Sequence, residues 1–138
     1  MIKITQNRSG CPISSSLEII GDTWSLLIIR DLFLQRTTFS EFMNSPEKIS
    51  SNILTNRLKK LLNFNLIEFY RDHKDKKVKK YFLTAAGIDL YPLIYNISIW
   101  SKKHLDIEYN NIAFDWFKEN FDKTPSQTIV DDVKTYEN

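Results

Sequence analysis

Residues 50–63 have the apolar spacing of an amphipathic helix, and the two faces of that helix differ sharply in chemistry. At 100° per residue, one face collects five aliphatic side chains, namely Ile53, Leu54, Leu58, Leu61 and Leu62. The other face collects amides, a hydroxyl and two ammonium groups, namely Asn52, Thr55, Asn56, Lys59, Lys60 and Asn63. Because this polar face has no carboxylate, it suits a partner that is anionic and rich in hydrogen-bonding edges.

Two helices are predicted near the start of the chain. Ser15 opens a capping-box sequence, so the first helix is expected to start there and to end at Gly21 in the left-handed conformation. Residues 24–34 are so rich in leucine and isoleucine that the second helix is expected to form the buried centre of the domain. Asp22 or Thr23 is expected to cap it.

A short third helix and a hairpin frame the helix at residues 50–63. A second capping box opens at Thr38 and predicts the third helix. Residues 66–71 and 78–83 are rich in β-branched and aromatic side chains and flank the polar residues 72–77, which predicts a β-hairpin. Its tip and shoulders carry six cations and two carboxylates, a local charge of +4.

Two more amphipathic helices are predicted after the hairpin, a long one capped by Thr84 and a last one over residues 111–121. A three-helix core needs neither, so we expect them to meet the same surface of a second subunit, although the stripe around Trp100 could instead complete the core of a monomer. The predicted homodimer interface comprises Leu93, Ile97, Trp100, His104, Trp116 and Phe117. Residues 1–121 are expected to form one domain, and residues 122–138 an acidic, mostly disordered tail.

Charge is divided unevenly along the chain. Residues 1–104 carry a net charge of +7 and residues 105–138 a net charge of −5, which favours a body that binds a polyanion. No apolar run approaches the roughly 18 residues of a membrane span, and the first residues lack the apolar core of a signal peptide. We therefore expect a cytoplasmic protein with no membrane partner.

The cysteine and histidine content argues against a metal or cofactor site. The single cysteine, Cys11, and two distant histidines make a poor ligand set. The sequence has no Gly-rich phosphate loop, nucleophile elbow or paired-histidine motif, so no enzyme is expected. A redox enzyme that uses Cys11 is a weaker alternative, because the chain has no second thiol to resolve an oxidised one.

The order of these elements is that of a winged helix-turn-helix protein. Such a protein is mainly α-helical with a small β-hairpin, and here it would carry additional N- and C-terminal dimerisation helices. The helix at residues 50–63 would enter the major groove of DNA, and residues 72–77 would form the wing.

Several stretches also resemble one family. They are Cys11-Pro12, the run Leu17–Leu32 with Gly21-Asp22-x-Trp24, Phe39-Ser40-Glu41-Phe42, the run Ile49–Lys59, and Tyr81-x-Leu83-Thr84-x-x-Gly87. In combination they closely resemble the HxlR-type winged-helix transcriptional regulators, relatives of the MarR type, over residues 11 to about 100. The resemblance implies a bacterial homodimeric regulator, often a repressor, that binds a roughly palindromic operator in double-stranded DNA.

The resemblance also bears on single residues. In some members of the family, the thiol that matches Cys11 senses electrophiles or oxidants. This chain has Thr38 where a basic residue is usual, Leu62 where an acidic one is usual, and Asn65 where a glycine turns the chain, and it lacks the usual proline in the wing. The hydroxyl of Thr38 can still donate to a phosphate, and asparagine tolerates the left-handed conformation of the turn.

The predicted DNA contacts divide by chemistry. Amides and hydroxyls are expected to read base edges, and lysines to hold phosphates. Arg57 is equally suited to DNA and to bracing a carboxylate such as Asp31. The contacts are Ser50, Asn52, Thr55, Asn56, Arg57, Lys59 and Lys60 in the reading helix, Arg71, His73, Lys74, Lys76 and Lys77 in the wing, and Thr38 and Ser40 at the start of the third helix. The plainer alternatives are a solvated helix face and a lysine patch that prevents aggregation.

The role of Cys11 and the function of the chain each have alternative interpretations. Cys11 is either a small buried hydrophobe or a redox-sensing thiol activated by a helix N-terminus, and an oxidised Cys11 would have to bond to a second subunit or to a small thiol. The function could also be that of a winged-helix protein-interaction module that does not bind DNA, or of a regulator that responds to a non-covalent small-molecule effector.

Overall fold

The computed structural model describes residues 1–5 and 8–138. Its elements, in chain order, are α1 (Pro12–Ile20), α2 (Ser25–Phe33), α3 (Phe39–Met43), α4 (Ser51–Asn63), β1 (Ile67–Arg71), β2 (Lys79–Leu83), α5 (Ala85–Ile88), α6 (Tyr91–His104), α7 (Asn111–Asn120) and α8 (Pro125–Glu137). They fall into two compact units, residues 1–89 and residues 90–138. Within the described residues, no helix is both long and apolar enough to cross a membrane.

The core of the first unit forms around α2, as the sequence predicted. Ile29 and Leu32 of α2 are fully buried, together with Leu54 and Leu61 of α4 and Ile67 of β1. The apolar face of α4 therefore packs inward, and its polar face is left at the surface. The mainly α-helical fold with a small hairpin is confirmed.

The hairpin is antiparallel, with Ile67 opposite Leu83 and Arg71 opposite Lys79. The N–H of Tyr81 donates to the carbonyl oxygen of Thr37 at 2.8 Å, which ties β2 to the segment before α3. Asn65, in the turn between α4 and β1, has φ of 57°, so it takes the left-handed conformation expected of it.

The predicted start of the first helix is wrong, whereas its end at Gly21 is as predicted, although Gly21 takes a different conformation. The helix begins at Pro12 with Cys11 at its N-cap, and the N–H of Ser15 already donates to the carbonyl oxygen of Cys11. Proline is favoured in the first turn because it has no N–H to leave unpaired, and this preference prevails over the Ser15 capping box. Gly21 has φ of −80° and is not left-handed; glycine is needed because a Cβ would collide with the carbonyl oxygen of Leu17.

The single long helix predicted after Thr84 is divided in two. Thr84 caps only the short α5, and α6 starts anew at Tyr91. Pro92 explains the break, since it cannot donate the backbone hydrogen bond that would continue the helix from Ile88.

The prediction of a mostly disordered tail is also wrong, because residues 125–137 form α8. The hydroxyl of Thr124 accepts from the N–H of Gln127, and Pro125 opens the first turn. Within the second unit, the carboxylate of Asp132 in α8 accepts hydrogen bonds from the hydroxyl of Tyr91 and from the indole N–H of Trp116. The structure accordingly divides after residue 89, and not after residue 121.

Candidate nucleic-acid interface

The exposed face of α4 is the polar face predicted from the sequence, except that Lys60, which was predicted to lie on it, is half-buried. The hydroxyl of Ser50 caps the helix by accepting from the N–H of Ile53 at 3.3 Å. The exposed side chains of the helix are Ser51, Asn52, Thr55, Asn56, Lys59 and Asn63. This face has amides, hydroxyls and one ammonium group and no carboxylate, so it is suited to approach a polyanion.

Arg57 and Lys60 are half-buried and face a carboxylate of the same unit. Nε of Arg57 lies 2.9 Å from Oδ1 of Asp22, and Nζ of Lys60 lies 3.5 Å from Oδ2 of Asp22. The other end of the Arg57 guanidinium donates to Oδ1 of Asn56 at 2.5 Å. Of the two roles considered for Arg57, the structure gives it the bracing of a carboxylate, and that carboxylate belongs to Asp22.

Asp31, the carboxylate first considered for Arg57, is committed elsewhere. It is buried and accepts hydrogen bonds from Arg30, Arg36 and the hydroxyl of Ser45. The guanidinium of Arg30 also donates two hydrogen bonds, each of 2.8 Å, to the two carboxylate oxygens of Glu47. Burial alone would lower the pKa of Arg30. The hydrogen bonds to Glu47 and Asp31 raise it by more, so the pKa lies above its ordinary value.

Asp22 serves two elements at once. Its Oδ1 accepts from the N–H groups of Trp24 and Ser25 at 2.8 and 2.9 Å. The N-cap position of α2 is Trp24 and not Asp22 or Thr23 as predicted, but the carboxylate of Asp22 still pairs with the first N–H groups of the helix. Burial raises the pKa of Asp22, but hydrogen bonds from Ser25, Trp24 and Arg57 lower it more, so the carboxyl stays ionised well below its ordinary pKa. The sequence did not predict the hydrogen bond between Asp22 and Arg57 of α4, because the two residues lie 35 positions apart and no local spacing relates one to the other.

The hydroxyl of Thr55 is oriented by its own helix. Its Oγ1 donates to the carbonyl oxygen of Ser51 at 2.8 Å. The proton of that hydroxyl is therefore engaged, and Thr55 presents oxygen lone pairs and a methyl group at the exposed face.

The start of α3 forms the predicted capping box. The N–H of Glu41 donates to Oγ1 of Thr38 at 3.3 Å, and the N–H of Thr38 donates to the carboxylate of Glu41 at 3.2 Å. Burial raises the pKa of Glu41, but hydrogen bonds from Thr38 and Thr37 lower it more, which leaves it below the ordinary value. Thr38 is half-buried and Ser40 is exposed beside it.

The wing residues singled out from the sequence are all exposed, namely Arg71, His73, Lys74, Lys76 and Lys77. Arg71 donates to the carbonyl oxygen of Lys76 at 3.0 Å. The two lysines on the shoulders are engaged within the hairpin, since Lys80 pairs with Asp72 at 3.4 Å and the ammonium group of Lys79 lies 4.6 Å from the ring centre of Phe69. The ammonium groups free of such contacts, within the described residues of the wing, are those of Lys74, Lys76 and Lys77.

One groove of about 670 Å³ brings the three predicted contact segments together. Its walls include Ser40 from the start of α3, Thr55 and Lys59 from α4, and Lys77 beside the hairpin, over an apolar floor that includes Leu58. Residues far apart in sequence therefore line one continuous surface of the first unit.

Cys11 is exposed, so it is not the small buried hydrophobe considered from the sequence. It occupies the N-cap of α1, where the partial positive charge of the helix N-terminus lies. Arg8, the nearby cation, pairs with Glu18 at 2.7 Å. No group of side chains suited to hold a metal ion occurs in the described part of the chain.

The predicted dimer residues of the second unit fall into two groups. Leu93, Ile97 and Trp100 are exposed, as is His104, whose ring centre lies 5.3 Å from that of Trp100. Trp116 and Phe117 are half-buried and pack within the unit, with their ring centres 5.1 Å apart. These two residues thus contribute to the packing of the second unit itself.

Comparison with known proteins places the chain in a family. The family described as HxlR-like helix-turn-helix matches residues 19–109. The chain belongs to that family. Both the HxlR-type assignment and the winged-helix architecture predicted from the sequence are confirmed.

Individual proteins similar to this chain are described as transcriptional regulators or transcription factors. The Bacillus subtilis protein YdeP, described as an uncharacterized HTH-type transcriptional regulator, is 32% identical over 99 residues, which are 70% of this chain and 76% of YdeP. The crystal structure of PA1607 superposes with a TM-score of 0.67 at 32% identity and covers 75% of this chain and 72% of that one.

The reduced form of the transcriptional regulator YodB from B. subtilis superposes with a TM-score of 0.58 at 28% identity and covers 70% of this chain and 95% of that one. YodB has also been solved in quinone-bound and diamide-treated forms. YdeP and YodB are described as regulators of transcription and not as enzymes.

Proposed function

We propose that this HxlR-type protein is a homodimeric, sequence-specific DNA-binding regulator that represses transcription in the bacterial cytoplasm. The observation that carries the proposal is the exposed face of α4, which is free of carboxylates. Part of this face, Thr55 and Lys59, lines one groove with Lys77 of the wing and with Ser40 at the start of α3. In winged helix-turn-helix proteins such a helix lies in the major groove, which is wide enough to admit it.

The side chains then divide the work of binding. The amides and hydroxyls of α4, such as Asn52 and Asn56, read base edges. Lys59 and the free lysines of the wing hold phosphates, which fixes the position of the protein on the duplex without reading sequence. Arg57 contributes by orienting its neighbours, since its guanidinium is occupied by Asp22 and Asn56.

A dimer supplies the second reading helix. Leu93, Ile97 and Trp100 leave apolar surface uncovered on α6, and such a surface favours self-association. A two-fold dimer would place its two copies of α4 about 34–36 Å apart, one turn of the double helix. Sedimentation of the protein alone and with DNA tests this stoichiometry.

A titration of labelled duplexes tests the DNA-binding proposal. Fragments upstream of the gene for this protein are titrated at fixed salt with the wild type, Asn56→Ala and Lys76→Ala. Asn56→Ala should change the relative affinity among operator variants, because it removes a base contact. Lys76→Ala should weaken all duplexes alike, because it removes a phosphate contact. Absence of salt-dependent binding to any duplex would favour a role in protein contact instead.

Oxidation of Cys11 is proposed as the signal that releases DNA. The thiol is exposed at a helix N-terminus, and the similar regulator YodB was solved in diamide-treated and quinone-bound forms. Diamide would join the sulfur of Cys11 to a thiol of a second subunit or to a small thiol, and would take up the two electrons and two protons released. Treated wild-type protein should lose DNA affinity and regain it with dithiothreitol, whereas Cys11→Ser should keep its affinity throughout.

A further inference from the structure

Asn56 is the one amide of the α4 face that a charged neighbour orients, as far as the described residues show. Its Oδ1 accepts a hydrogen bond from the Arg57 guanidinium at 2.5 Å. Arginine has only donors, so the atom of Asn56 that faces it must be the carbonyl oxygen and not the amino group. The hydrogen bond to Arg57 thus determines which end of the Asn56 amide faces the guanidinium.

Arg57 is itself held in place from the opposite side. Its Nε donates to Asp22 at 2.9 Å, and the side chains of Arg57 and Asp22 are 26% and 19% exposed. Asp22 is anchored by two backbone N–H groups and the hydroxyl of Ser25 at the start of α2. A chain of hydrogen bonds to ionised groups, which are stronger than neutral ones, therefore runs from α2 to the exposed amide of Asn56.

This orientation decides what Asn56 offers to a base. An asparagine that reads adenine uses both ends of its amide, because the oxygen accepts from N6 and the amino group donates to N7. Because Arg57 occupies the oxygen of Asn56, the end of the amide that has no partner among the described residues is its amino group. Such an amino group meets two acceptors at guanine, O6 and N7, but at adenine it meets only N7, beside the N6 amino group, which is itself a donor.

We propose that Arg57, positioned by Asp22, sets the base specificity of Asn56 by engaging its carbonyl oxygen, so that Asn56 selects guanine over adenine. This inference rests on the proposed function, since it requires α4 to lie in the major groove. In it, Asn56 is the residue that contacts the base, and Arg57 and Asp22 are positioning residues.

Selection of a randomised duplex library by the full-length protein, followed by sequencing, tests the inference. The position read by Asn56 is the one whose base preference disappears in Asn56→Ala. At that position the wild type should enrich guanine. In Arg57→Met the amide is free to pair with adenine at both ends, so the ratio of guanine to adenine should fall about fivefold or more.

Arg57→Lys is the matched control for charge. Lysine keeps the positive charge but lacks the two-ended fork that contacts Asp22 and Asn56 together, so its base preference should resemble that of Arg57→Met. Base preference is the readout because a loss of stability lowers affinity for all sequences alike. If Arg57→Met does not fold, Arg57→Lys supplies the same measurement.

The outcomes separate the two proposals. A wild-type protein that enriches no sequence overturns the DNA-binding proposal and this inference with it. A wild type that enriches adenine at the Asn56 position, or an unchanged base preference in the folded Arg57 variants, overturns the inference alone. The same holds if Asn56→Ala erases the preference at no position.

Discussion

Removing the free lysines of the wing should flatten the salt dependence of DNA binding by a calculable amount. Lys74, Lys76 and Lys77 are exposed and have no ion pair within the described residues. Each lysine that neutralises a phosphate releases counterions, which contributes about 0.9 to the slope of log K against log salt concentration. A variant with all three lysines replaced by alanine should therefore have a slope shallower by about 2.7 for each bound chain.

The size of this effect makes it easy to measure. For the proposed dimer, with two bound chains, the slope should become shallower by about 5.4. Between 50 and 200 mM salt, the share of about 2.7 that comes from each chain makes the loss of affinity about 40-fold smaller in the variant than in the wild type. Fluorescence anisotropy titrations of one duplex at four or five salt concentrations give the slope directly. Equal slopes for the triple variant and the wild type would refute the assignment of the wing to phosphate contacts.

A matched variant separates local contact from net charge. Lys103, Lys118 and Lys134 are exposed lysines of the second unit, and their replacement by alanine removes the same charge. This variant is expected to keep a slope close to that of the wild type. If both triple variants lower the slope equally, only the total charge matters and the wing has no special role.

Three further results are expected. Leu54→Ala should destabilise the first unit by about 2–5 kcal/mol in chemical denaturation, because Leu54 is fully buried. Leu34→Ala, at an exposed leucine, should lower the free energy of unfolding by less than about 1 kcal/mol. Similar losses in the two variants would contradict the packing of α4. The stability advantage of the wild type over Glu41→Gln should be present above pH 4.5 and shrink as the pH falls further, because the folded-state pKa of Glu41 is lowered; a constant advantage down to pH 3 would exclude this role. Native protein should react with one equivalent of a thiol reagent at the exposed Cys11. A thiol that reacts only after the protein is unfolded would show that Cys11 is covered in the native state.

The elements that sequence predicted well are those whose signals are local. The polar and apolar faces of α4 follow from residues within one segment, and the capping box at Thr38 forms between residues three apart. The hairpin follows from two β-rich runs around a polar tip. In each case no other local preference competes with the pattern.

The failures occurred where signals competed or partners were distant. At the first helix, Pro12 prevailed over the capping box at Ser15, and at the end of the chain the polar composition concealed the start of α8. The pairing of Asp22 with Arg57 depends on how α2 and α4 pack, and spacing within one segment carries no information about it. The part of the site that is set by packing could therefore be found only from the structure.

Contact between the polar face of α4 and DNA underlies the proposed function, and amide NMR of the full chain detects it residue by residue. A nitrogen-15-labelled sample is titrated with a duplex that it binds, and each amide signal is followed. The largest changes are expected at residues 51–63 and 72–77. Binding that leaves the signals of α4 unchanged and perturbs other residues would contradict this contact.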